Sequence, residues 1–578
     1  MKYNFITLIM LLTILSFVSC QKFLESKPKG TLTESDLNTP EAIDGLLTAA
    51  YAAIGNDDRE DPISSMWAYG SVHSDDAYKG GGAVNNRTEY DALEQYYTIE
   101  AAQIPNNAGF PATWTNLYRA ISRANFALKK LNSVSEADFP QKKTRQGEAR
   151  FLRGHLNFLL KILFKYFSYI DEETSDDDIL KISNRTFSND ELWNIIADDF
   201  QFAVDNLPVS QSQPGRVNRL SAEAYLAKVR LYQAYEQNEN HEVININKNK
   251  LEEVVALTSD VINSGKYKLS NDFAENFLWD YDNGPESIFA IQYSINDGTT
   301  NGRLSMSTSL NYSNAPQYGC CWFHIPSQNM VNAFKTDQDG LPMFNTFNDA
   351  DLKDADLVSA GATVDPRIDH TIGIQGHPFK YNPKILYSHS WERIPQIYGS
   401  FGNMKEQQAA DCPCFKKVGP YIGSSKNVDV IRFADLLLWK AEALIELGRQ
   451  EEARPLINQI RVRAKNSTGR TKFLDGSSPS NYRIAEYDGI NLTWTQANAR
   501  MALQWERRLE FAMESPRFFD LVRWGIAAET LNAYLAVEKT KRDYLKKAFF
   551  TKGKNEYFPI PQKEIDFTKG LYVQNTGY

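Results

Sequence analysis

The densest chemistry in the chain lies near its C-terminal end, where Glu506, Arg507, Arg508, Glu510, Arg517, Asp520 and Arg523 follow one another closely. Carboxylates beside arginines can perform acid and base catalysis. Helical spacing gives a simpler account: Glu506 and Glu510 are four apart, and Trp505, Leu509 and Phe511 supply the apolar members. The pattern therefore predicts an ion network that holds the last helices together. Asp337, Asp339 and Gly340 open like a calcium loop, but no acidic residue stands where the bidentate Glu should fall, so a turn is expected. The 7 histidines include no H-E-x-x-H pair, and neither a G-x-S-x-G elbow nor a G-x-x-x-x-G-K-[ST] phosphate loop occurs. No cofactor or metal site is expected. A glycosidase would still leave no local signature, because its two carboxylates meet only on folding.

Cysteine is the other reactive residue type. Of the 5 cysteines, Cys20 sits alone and the rest form two clusters, Cys320 with Cys321 and Cys412 with Cys414. Adjacent cysteines and C-P-C lack the two-residue spacer that lets both sulfurs face one zinc ion. Oxidised pairing between the two clusters is favoured over metal, and the connectivity is not deducible. Cys20 closes an export signal: Lys2 is basic, Phe5 to Val18 is apolar, and polar residues resume at Gln21. That apolar run is too short to span a bilayer comfortably. A cysteine directly behind it predicts lipidation of its thiol, although Phe17 departs from the small aliphatic residue usual at that position. Residues 1–19 are thus read as a lipoprotein signal peptide.

Helices dominate the chain around these groups. From Ile431 the sequence IRFADLLLWKAEALIELG carries Phe433, Leu436, Leu437, Leu444 and Leu447 on one stripe, and Gly448 supplies a left-handed stop. Ala453, Leu456, Ile457, Ile460 and Ala464 follow on a second helix, which makes a hairpin of tetratricopeptide type. Comparable segments run from Gly147 to Phe167, from Leu220 to Gln237 and from Leu251 to Gly265. They share no strict period, which argues for repeats embedded in a larger domain. Between about 280 and 426 the texture turns to Gly, Pro, Asn, Ser and aromatics, as expected of long loops that bind something or are tied down. The formal net charge of −9 makes nucleic acid an unlikely partner.

CQKFLESKPKGTLTE, GEARFLRG, PESIFAIQYS, FKTDQDGLP, VDPRIDHT, RFADLLLWKAEALIELG, ERRLEFAMESPRFFDLVRWG and YFPIPQKEIDFTKGLYVQNTGY occur in that order from Cys20 to Tyr578. In this order the chain resembles the SusD/RagB-like outer-membrane lipoproteins of Bacteroidota. The resemblance implies an all-α fold with a tetratricopeptide scaffold, residues 20–578 as a single domain, and a loop-rich ligand-binding insert. It also implies an oligosaccharide ligand, a lipid anchor, and a SusC-like TonB-dependent transporter as partner. By the same resemblance Asp75 and Asp76 match a ligand-contacting turn, and Trp322 stands where a stacking aromatic is placed. Lys79, Arg87, Tyr96 and Tyr97 are candidates by type and approximate position. A stacked sugar ring needs flat aromatic surface flanked by polar groups. For each aromatic the competing account is packing within the loops. Trp67, Trp114, Trp193 and Trp439 lie in apolar helical patterns and are expected in the core. Binding without turnover is thus the expected function, with an exported glycoside hydrolase or a peptide- or protein-binding repeat scaffold as alternatives.

Overall fold

A computed structural model describes residues 34–55, 62–100, 109–300 and 302–578. The predicted signal peptide and Cys20 lie outside the described residues.

The first long helix, α1 (Pro40–Ile54), starts behind Thr39, whose hydroxyl accepts the Ala42 N–H, with Pro40 in the first turn where a missing N–H costs nothing. Its buried stripe of Ile43, Leu47, Ala50 and Ile54 packs on a later helix. A short strand β1 (Ala77–Gly80) and helix α2 (Thr88–Gln95) come next. Then come α3 (Phe110–Ser133), which packs on α1, and α4 (Lys142–Phe164), α5 (Asn189–Asn206), α6 (Arg219–Ala234) and α7 (Lys248–Asn263), each packed on the helix before it. Three of them, α4, α6 and α7, are repeat segments that the apolar periodicity predicts. Gly154 allows α4 and α5 to approach closely, since a Cβ there would lie 2.9 Å from the Phe200 ring. Buried Arg153 on α4 grips Asp199 of α5 through two hydrogen bonds of 2.8 and 2.7 Å.

The irregular block interrupts this stack without ending it. Strand β2 (Ser287–Ile291) opens it, β3 (Phe323–Pro326) and the single turn α8 (Pro395–Tyr398) lie inside it, and β4 (Val428–Arg432) closes it. Because β2 and β4 pair antiparallel, Val428 opposite Ile291 and Arg432 opposite Ser287, both ends of the block leave the scaffold at one place. Helix α9 (Phe433–Glu446) then packs on α7 as the next repeat would, and α10 (Gln450–Asn466) folds back on α9 across Gly448, whose φ is 79°. The chain ends with α11 (Gln496–Glu510), α12 (Arg517–Arg523) and α13 (Ala527–Glu538).

Much of the aromatic content of the irregular block is structural. Tyr312, Tyr318, Phe379, Tyr387 and Trp391 form a small core of their own, and Phe334, Ile368 and Ile372 belong to another that includes Leu509 of α11. The four tryptophans assigned to the core are indeed buried. The charged run from Glu506 to Arg523 is an ion network, as its spacing predicts. Arg367 meets Asp365 at 2.7 Å and Glu506 at 2.6 Å, Arg461 also reaches Glu506, and Glu510 gathers Arg432, Arg463 and Arg367. Arg507 and Arg523 share Asp520. The Asp337 segment is a turn, with Asp337 Oδ1 accepting from the N–H groups of Asp339 and Leu341, and Gly340 at a φ of 83°.

Candidate functional site

Strand β1 pairs antiparallel with β3, Ala77 opposite Pro326 and Gly80 opposite Phe323. The two stretches singled out in the sequence, around Asp75 and around Trp322, are therefore adjacent in space. Most of their side chains, however, point into the molecule.

Trp322 is 1% exposed and belongs to the main core. Its N–H donates to the Tyr312 carbonyl and its own carbonyl accepts from Gly81, each at 2.8 Å, so the backbone is pinned on both sides. Gly80 has a φ of 80°, and a Cβ there would stand 2.3 Å from the Trp322 carbonyl oxygen. The indole is not a ligand platform in this structure. Asp75 and Asp76 are buried too. Asp75 takes a two-pronged contact from Arg517 at 2.8 and 2.9 Å and a second cation from Arg508, while Asp76 lies 3.3 Å from Arg508. Burial alone would raise Asp75, but Arg508 and Arg517 outweigh it and hold the carboxyl at about 2. At Asp76 burial wins over Arg508, and Asp75 adds repulsion, which lifts it to about 6. This turn is an anchor for α11 and α12, and its carboxylates are spent on arginines rather than offered to hydroxyls.

Lys79 is likewise consumed. Its ammonium meets Asp91 at 2.5 Å and donates to the carbonyls of Ala83, Val84 and Asn86 at 3.2, 2.7 and 2.8 Å, so it organises the 83–86 loop from beneath. Tyr96 is 1% exposed, its ring between His73 and Phe550 at 4.6 and 5.2 Å. Cys320 is bonded to Cys321 and Cys412 to Cys414, each within its own cluster, which corrects the expected pairing between clusters. Each sulfur thus finds its partner one or two residues along the chain, which leaves none for the other cluster. Among the described residues, no group of three or more His, Cys, Asp or Glu is placed to hold a metal ion.

What remains open to solvent runs along α2. At its N-terminal end are exposed Asn85 and Asn86, half-buried Arg87, which meets Glu89 at 3.4 Å, and exposed Arg393, whose guanidinium lies against Gly82 and donates to the Cys321 carbonyl at 3.4 Å. At the other end Tyr97 is 44% exposed and Phe549 52%. The N–H groups of Tyr97 and Phe549 both donate to the one carbonyl of Gln95, at 2.7 and 3.3 Å, so the backbones that carry two open rings meet at one point. The Lys539 ammonium lies 5.9 Å from the Phe549 ring centre. Eight residues of helix separate the ends by about 12 Å. Beneath, Glu94 accepts from the Tyr544 hydroxyl at 2.5 Å, and the Tyr544 ring packs on Tyr398 of α8. Burial raises Glu94 to about 7 and Asp91 to about 6, the latter against the pull of Lys79.

Phe549 was missed in the sequence. The signal was the Phe549–Phe550 doublet in an otherwise polar stretch, where the extended alternation of side chains sends one ring in and one out. Phe550 is fully buried. The surface so assembled has flat apolar area, amide groups and cations on a rigid base, and no pair of free carboxylates among these residues.

Comparisons place the chain among known proteins. A family model described as "Starch-binding associating with outer membrane" matches residues 22–231. The SusD-like protein P2 of Formosa agariphila is 24% identical over the whole of both chains. Among solved structures, a SusD-like carbohydrate-binding protein of Bacteroides fragilis shares the fold with a TM-score of 0.68 at 21% identity, covering 93% of this chain and 99% of its own. Surface glycan-binding protein A of Bacteroides thetaiotaomicron, solved with laminarihexaose, gives 0.64 at 18% identity, over 93% and 99%. A second family model, that of the SusD family, matches residues 285–578, half of the chain, and with the helical repeat scaffold and the order of its motifs this chain belongs to the SusD family.

Proposed function

We propose that this protein, with residues 20–578 acting as one unit, binds oligosaccharides at the cell surface without turning them over. It hands them to a SusC-like TonB-dependent transporter while a lipid on Cys20 holds it to the outer membrane. The observation that carries the binding reading is the pair of open rings, Tyr97 and Phe549, fixed on one carbonyl and flanked by Lys539. Flat rings held rigid cover the C–H faces of a sugar at little entropic cost, and amides and cations such as Asn85, Asn86 and Arg393 suit its hydroxyls. The laminarihexaose held by the B. thetaiotaomicron protein and the starch-binding, outer-membrane description of the matching family model support a glycan as ligand and the membrane as the place.

Native gels cast with laminarin, starch or other polysaccharides test this reading. Retardation in at least one of them, with no new reducing ends after incubation, is the expected result. Release of reducing ends would turn the reading toward a hydrolase, and free migration in every gel would remove the glycan. The anchor is tested separately. Acyl chains contribute about 0.8 kcal/mol per buried CH₂, so Cys20→Ala should move the protein out of the outer-membrane fraction in cells that lack the transporter. Quantitative retention of that variant would refute the lipid anchor.

A further inference from the structure

A cavity lies apart from the surface along α2. About 220 Å³ of space opens between α4, α6, α9 and α11 on the scaffold side and the segments near Ser65, Thr308 and Lys426 on the other. Such a volume exceeds the roughly 150 Å³ of a cavity that takes up benzene, and so admits a molecule of about one six-membered ring with substituents.

Its wall carries cations, acids and aromatic rings. Lys228 of α6 reaches it with an ammonium that lies 5.0, 5.4 and 5.9 Å from the rings of Phe158, Tyr225 and Trp439. That ammonium has no hydrogen bond and no ion pair among the described residues. Arg507 of α11, its side chain 3% exposed, gives Nε and Nη2 to Asp520, but its Nη1 has no hydrogen-bond partner and stops 3.8 Å from Asp435. The Ser65 hydroxyl in the same wall is unpartnered too. Each acid of the wall has a partner, although Asp435 accepts through one oxygen and turns the other toward Arg507. Asp435 accepts the Arg432 N–H, Glu514 takes Lys405 and Arg432, Asp429 takes the Ser287 hydroxyl, and Glu406 takes Asn311 and Asn403. The buried cations Lys405, Arg432 and Lys426 have carboxylate partners. The wall thus presents the unfilled donors of Lys228, Arg507 and Ser65, with Asp435 the acid that faces the two cations, beside the apolar rings of Phe158, Trp439, Phe511 and Phe519. Donors that line such a space favour acceptors, and the acceptor that matches an ammonium and a guanidinium together is a carboxylate.

We propose that this cavity binds a small organic carboxylate, no larger than one hexuronic acid, with its carboxylate between Lys228 and Arg507 and its body against the aromatic wall. This goes beyond the surface glycan site and does not depend on it.

Titration calorimetry and saturation-transfer NMR with sodium glucuronate, glucose and sodium acetate, on the full mature chain, test the assignment. Glucuronate should give saturable binding and glucose should bind at least about tenfold more weakly, the loss expected when a charge-assisted hydrogen bond is removed. Lys228→Met should weaken glucuronate by about 10- to 100-fold, and Lys228→Arg should restore most of it. Lys228→Gln serves if the methionine variant melts early. The Tyr97→Ala and Phe549→Ala double variant should leave glucuronate binding unchanged, which separates the cavity from the surface. No saturable signal from either glucuronate or acetate overturns the proposal. So does equal binding of glucose, or binding that Lys228→Met and Lys228→Gln leave intact.

Discussion

Removing the two open rings is the sharpest test of the surface along α2. Tyr97 leaves 44% of its surface open and Phe549 52%. A fully exposed aromatic side chain presents roughly 200 Å², so each ring offers about 100 Å², and a ligand lying on one face covers about half of that. At about 25 cal/mol per Å² the covered patch contributes about 1.2 kcal/mol per ring, which is about eightfold in affinity. Tyr97→Ala and Phe549→Ala should each lower affinity by about that factor. Together they should lower it by about 60-fold if the rings act independently, and the double-mutant cycle measures their coupling. The fold should tolerate both changes, because the buried members of each pair, Tyr96 and Phe550, are left in place. Calorimetry against laminarihexaose, or whichever oligosaccharide the gels select, supplies the affinities, and thermal melts of the same samples supply the control. An unchanged affinity in the double variant, with an unchanged melting temperature, would discard this surface as the ligand site.

The remaining expectations concern stability. Trp322→Ala should cost about 3 to 5 kcal/mol and lower the urea midpoint, since it empties a core position, whereas a merely local loss of binding at full stability would contradict the burial of the indole. Asp75→Asn leaves Arg508 and Arg517 buried with weakened partners and should cost about 3 to 5 kcal/mol in the same assay; a change close to zero would refute the anchoring role of this turn. Glu94, raised from 4.5 to about 7, stabilises the fold fully below its unfolded value, and that contribution is lost as pH rises through about 7. Glu94→Gln should therefore melt like the parent near pH 4 and above it near pH 8, by on the order of 3 kcal/mol at most, and a difference that does not grow with pH would contradict the burial of this carboxyl.

Sequence and structure agree where periodicity is the governing physics. The stripe from Phe433 to Leu447, the stop at Gly448 and the Ala453 to Ala464 face specify a helical hairpin by local rules alone, because each buried position recurs with the helix turn. The charges from Glu506 to Arg523 were legible as a network for the same reason, since a helix puts residues four apart on one face. The partners of that network were not legible. Arg508 and Arg517 find Asp75 and Asp76 from more than 400 positions away, as their hydrogen bonds record, and no spacing rule reaches so far.

The sequence by itself thus determined the helical repeat scaffold and the irregular block set within it, and it pointed to residues 73 to 97, which run along the surface proposed for the ligand. Only the tertiary structure decided which side chains of that neighbourhood face the solvent. Trp322, Tyr96 and Tyr97 are alike in type and loop context, yet the first two are 1% exposed and the third 44%. The difference arises because β1 pairs with β3 and because Phe549 docks on the Gln95 carbonyl, both contacts between segments hundreds of residues apart. An aromatic ring in a loop stabilises a core and a ligand by the same burial of apolar area, and which of the two it meets is fixed by what folds against it.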